Sequence, residues 1–79
     1  MVDYSKLYGK IREVYGTQDA FSDAMQMSRS ALSLRLTGKV EWKTSEIIKA
    51  CDLLGIPLKE AHLYFFALND LKSSQGEEA

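Results

Sequence analysis

The chain is poor in the residues that carry covalent and metal chemistry: among 79 residues there is one cysteine, one histidine and one proline. A lone Cys51 can form no intramolecular disulfide, and one Cys with one His cannot assemble a zinc cluster within a monomer. Set amid apolar residues at helical spacing, Cys51 reads as a small buried hydrophobe, not a reactive thiol. No nucleophile motif and no phosphate-cradling glycine loop occurs, and so short a chain cannot enclose a deep pocket. An enzyme is therefore not expected, and no cofactor is called for. Long apolar runs are also missing. Nothing approaches the ~20 residues of a membrane span, and Met1-Val2-Asp3-Tyr4 leads into no apolar signal region. These absences predict a soluble, cytoplasmic protein with no membrane partner.

What is present is a folding composition, 46% hydrophobic, in a length that holds one domain with short loops. Residues 1–71 are expected to form that domain. Residues 72–79, KSSQGEEA, read as a polar, disordered tail. The net charge of −1 conceals an asymmetry. Residues 1–43 carry seven basic and five acidic side chains, whereas residues 44–79 carry three and six. Between Ser28 and Lys43 the balance is +3, which places a basic patch on that segment and acidity away from it.

Hydrophobic periodicity predicts an all-α fold of five helices. Leu7, Ile11 and Val14 mark helix 1 over Tyr4 to Tyr15, with Gly16 as its stop. Thr17 is a candidate N-cap for helix 2, Gln18 to Met25, with Phe21, Ala24 and Met25 inward. Ser28 caps helix 3, which reaches Thr37 before Gly38 ends it. Thr44 or Ser45 caps helix 4, whose stripe is Ile47, Ile48, Cys51 and Leu54 and whose stop is Gly55. Pro57 suits the first position of helix 5. In the following HLYFFAL, helical and extended readings compete.

The segment Thr17 to Lys39 carries the functional reading. Two short helical patterns joined by about three residues fit a helix-turn-helix, with the second helix free to enter a major groove. On a helical wheel Ala31, Leu32 and Leu36 face inward, while Arg29, Ser30, Ser33, Leu34 and Thr37 face outward. Small hydroxyls permit close approach, Arg29 can reach guanine O6 and N7, and Leu34 can touch a thymine methyl. Arg29, Ser30, Ser33 and Leu34 are thus the candidate base-reading residues. Gln18, Ser28, Lys39, Lys43 and the Trp42 N–H are the candidate phosphate contacts. For Trp42 a ring folded over the core edge is an equal alternative.

The pattern T-Q-x-x-F-S-x-x-M-x-M-S-R-S-x-L-S-x-x-L-x-G-K over residues 17–39 resembles the lambda-repressor-like helix-turn-helix family, which includes the phage Cro and CI repressors. The resemblance implies a compact five-helix DNA-binding domain and a Cro-like repressor that binds a double-stranded operator as a homodimer in a bacterial host. Gln26 stands where that family places glycine at the turn, so it must adopt a left-handed backbone or a different turn. Arg35 stands at a usually apolar position and is expected to snorkel outward toward a phosphate.

The apolar surplus at Leu63, Tyr64, Phe65, Phe66 and Leu68 predicts a symmetric dimer contact; closure of the monomer core by Leu63, Phe65 and Phe66 is the competing reading. A second functional class also remains. In it a protein-binding helix-turn-helix, acting as an antirepressor or repressor modulator, engages another phage regulator through the same helix face or through the C-terminal apolar patch.

Overall fold

A computed structural model describes residues 3–66. Within them lie five α-helices and no strand: α1 Ser5–Tyr15, α2 Gln18–Met25, α3 Arg29–Leu36, α4 Thr44–Leu54 and α5 Ala61–Phe65, with a single 3-10 turn, Leu58–Glu60, leading into α5. The expected tail and Leu68 fall outside the described residues. None of the described helices is long and apolar enough to cross a membrane.

The helix starts follow the capping residues. Thr17 Oγ1 accepts from the Ala20 N–H at 3.1 Å and Ser28 Oγ from the Ala31 N–H at 3.0 Å, each satisfying a donor that the first turn leaves open. At α4 the cap is Lys43, one residue earlier than expected. It has no side-chain acceptor, and the Glu46 carboxylate instead reaches back to the Lys43 N–H at 2.9 Å. Gly16, Gly38 and Gly55 all hold positive φ where the pattern placed helix stops.

Every helix contributes to one core. Leu7 and Ile11 of α1, Phe21 and Met25 of α2, Leu32 and Leu36 of α3, Ala50, Cys51 and Leu54 of α4, then Ile56, Ala61 and Phe65 are all buried. α1 packs against α2, α4 and α5, and α2 also packs against α3 and α4. Ser22 is fully buried without penalty, because its hydroxyl donates to the Asp19 carbonyl at 2.7 Å.

Five readings are decided or changed here. HLYFFAL is helical through Phe65, and Pro57 precedes a 3-10 turn instead of opening the helix. Ile48 is 48% exposed and so leaves the inward stripe of α4, where Ala50 takes part instead. Val14, at 45%, also faces out. Phe65 is 2% exposed, so it closes the monomer core and has no surface to offer a dimer.

Candidate protein-interaction surfaces

Three residues, Gln26 to Ser28, link α2 to α3. Gln26 takes the left-handed conformation, φ 61° and ψ 41°, the only non-glycine among the described residues to do so. That backbone costs an L-residue on the order of 1 kcal/mol, and α4 supplies the compensation. Lys49 Nζ donates to the Met25 carbonyl at 3.1 Å and to Gln26 Oε1 at 2.8 Å, capping the end of α2 with a cation.

The outward face of α3 is as the wheel predicted: Arg29, Ser30, Ser33, Leu34 and Thr37 are all exposed, Leu34 by 41%. Its electrostatics are weaker than the charge count implied. Arg29 Nε lies 3.5 Å from Asp19 Oδ1, which offsets part of its charge. Arg35 does not snorkel out. Its Nε and one terminal nitrogen grip both oxygens of Glu46 at 2.9 and 3.0 Å, and its other terminal nitrogen donates to the Ala31 carbonyl at 3.0 Å. This two-point pair ties α3 to the start of α4 and holds the Glu46 carboxyl below its ordinary value of 4.5, chiefly through the hydrogen bond from Arg35. Of the four basic residues behind the +3 patch, Arg35 is therefore engaged inside the protein, and Arg29 is loosely paired at the surface.

The remaining candidates divide. Ser28 spends its hydroxyl as a cap, and Thr37 Oγ1 donates back to the Ser33 carbonyl at 3.0 Å. Gln18 is half-buried at the first position of α2, and Lys39 and Lys43 are exposed. Trp42 is half-buried, its ring edge-on to Phe65 at 4.9 Å and 78°, and its Nε1 is buried without a hydrogen-bond partner. It folds over the core edge and offers no N–H to a phosphate.

Trp42 also forms one wall of a shallow groove of about 320 Å³ with Tyr4, Glu41, Phe65 and Phe66. Burial, and then the neighbouring Glu41 carboxylate, push the Tyr4 phenol above its ordinary value. Phe66, in its lining, is 59% exposed; on α5 Leu63 is 39% exposed and Tyr64 is half-buried with Lys6 Nζ 5.6 Å from its ring centre. Two features escaped the sequence reading, the Arg35–Glu46 tie and the Lys49 cap. Both link residues too far apart in the chain for helical periodicity to pair them.

A family model described as "Protein of unknown function (DUF739)" matches residues 1–68. The chain belongs to that family. No curated protein matches this DUF739 chain. Among solved structures it is similar to the modulator of repression (MOR) of the temperate bacteriophage TP901-1 from Lactococcus lactis. The two share 46% identity with a TM-score of 0.75, over 82% of this chain and 88% of that one. These findings correct the sequence reading at its functional end: the family is not the lambda-repressor-like one, and the neighbour is a modulator of repression, not an operator-binding repressor. The base-reading roles of Arg29, Ser30, Ser33 and Leu34, and the phosphate roles around them, rested on that reading; the structure places these four side chains on the exposed face of α3 and does not itself test their roles. Physically, the helical spacing was sound, but capped and exposed small residues do not say whether the facing partner is a base pair or a protein.

Proposed function

We propose that this DUF739 chain is a phage-type modulator of repression: a small non-catalytic regulator that works by binding a repressor protein. The observation that carries the reading is the 46% identity to a modulator of repression over most of both chains. The surface chemistry supports it. A protein partner is held by exposed apolar anchors with a polar surround, and rows of unpaired cations are not required. The aromatic groove lined by Trp42 and Phe66 supplies such anchors, as do exposed Leu63 on α5 and Leu34 among the hydroxyls of α3. In this reading α2, the Gln26 turn and α3 serve as a helix-turn-helix turned to protein contact.

The test mixes the purified chain with the repressor encoded in the same phage or prophage, and follows complex formation by calorimetry and operator retention by mobility shift. We expect a 1:1 or 2:2 complex, altered operator retention by the repressor, and no shift of the duplex by this chain alone at about 0.1 M salt, where phosphate contacts still contribute. Absence of any complex, or tight salt-sensitive binding of the duplex by the chain alone, would overturn the reading.

A further inference from the structure

A second groove lies along α4 at the margin of its core stripe, and neither the helix pattern nor the likeness to a modulator assigns it a role. Buried Cys51 and Ile56 form its floor, Ile48 and Leu58 its walls at 48% and 59% exposure, and Ser45 and Asp52 its polar edge, around a volume of about 400 Å³. Two large aliphatic side chains standing this far out of a small domain, on either side of an apolar floor, form a slot for another apolar side chain. The thiol at the floor is not the feature of interest, since burial pushes Cys51 up and away from the reactive thiolate.

The charges at the slot choose the occupant. Lys49 also lines it, but its ammonium is drawn to the Met25 carbonyl and Gln26 Oε1 at the end of α2. Asp52 is exposed and in no salt bridge among the described residues. The slot therefore presents an apolar floor with the Asp52 carboxylate at its edge and the Lys49 ammonium directed toward the end of α2. We propose that it takes an amphipathic helical segment of the partner repressor, inserting a leucine-sized anchor between Ile48 and Leu58 and setting a lysine or arginine against Asp52. This rests on the modulator reading for the source of the segment. A basic side chain flanking an apolar anchor is the complement the surface lacks, and an acidic one would meet Asp52 in repulsion.

Two measurements on the full chain test it. The first titrates the 15N-labelled protein with a synthetic helical peptide bearing leucines at i and i+4 flanked by lysines, and with its twin in which every lysine is glutamate. The expected shifts centre on Ile48, Asp52 and Leu58. They should be about tenfold weaker with the glutamate peptide, reversed in preference by Asp52→Lys, and lost in Ile48→Ser. Equal binding of both peptides, or shifts centred elsewhere, overturns the proposal. The second compares repressor affinity of the wild-type chain with that of Asp52→Lys and Ile48→Ser, each checked for an unchanged amide spectrum. An affinity loss of about tenfold or more in both supports the slot. Unchanged affinity removes the slot and leaves the modulator reading standing. A wild-type chain that ignores the repressor removes the modulator reading and with it the proposed source of the segment, and self-association through Ile48 seen in sedimentation would assign the slot to a second copy instead.

Discussion

The outward faces of α3 and α4 are built from opposite materials. On α3, hydroxyls and one arginine surround a single exposed leucine, and most of the polar atoms are already used: Ser28 as a cap, Thr37 back-bonded to its own helix, Arg29 beside Asp19. Beside this, Ile48 of α4 and Leu58 of the 3-10 turn stand far out of the domain with the Asp52 carboxylate at the edge of the groove between them. The difference teaches that charge counted along a sequence is not charge available on a surface. The segment that looked basic has given Arg35 to an internal partner and holds Arg29 beside Asp19 at the surface, and the half that looked merely acidic exposes the larger apolar anchors.

The largest expected effect separates core from surface at adjacent residues. Phe65→Ala should cost about 3–5 kcal/mol, because a buried ring and its edge-on contact with Trp42 are lost. Phe66→Ala, at 59% exposure, should stay within about 0.5 kcal/mol while weakening repressor binding. Urea denaturation of the two variants checks this, and similar losses in both would mean that Phe66 is also a core residue.

Next in size is the tie between the two halves. Removing the guanidinium in Arg35→Ala leaves a largely buried Glu46 carboxylate unpaired, at an expected cost of about 1–3 kcal/mol. The same pair sets an acid dependence. Because Arg35 depresses the Glu46 value in the folded state, its contribution is fully present above the ordinary glutamate value of 4.5 and is lost as pH falls below it through the depressed folded value. Urea midpoints followed downward from pH 6 should therefore fall more steeply in the wild type than in Arg35→Ala. Parallel curves would show that the pair contributes nothing in solution.

Much of the fold was legible because it is written locally. Thr17, Ser28, Gly16, Gly38 and Gly55 mark boundaries within a few residues of the bonds they make, and the two-sided wheel of α3 needs only its own eight residues. Errors appear where the deciding contact is distant. Ile48 reads as inward on α4 by period alone, yet no neighbour among the described residues covers it. Arg35 reads as a cation seeking phosphate until Glu46, eleven positions on, is brought beside it. The function was legible only as a pair of alternatives, since a short helix after a tight turn suits a protein groove as well as a DNA groove. Leu34 and the serines around it carry no mark that separates the two.

The smallest expected effect is a coupling energy at the turn that links α2 to α3. Lys49→Met removes two hydrogen bonds from the end of α2, each contributing about 0.5–1.5 kcal/mol. Gln26→Gly alone relieves the left-handed strain but loses the amide that Lys49 grips, so its net effect should lie near zero. In the double variant the two changes should not add, because glycine needs no side-chain restraint to hold φ near 61°. A coupling energy of about 0.5 kcal/mol or more in the double-mutant cycle is the expected result. Additivity within error, together with a Met25 carbonyl signal unmoved by Lys49→Met, would mean that the Lys49 ammonium is free in solution. The slot on α4 would then carry a cation at its edge beside Asp52, and its preference for a basic partner segment would disappear along with the cap.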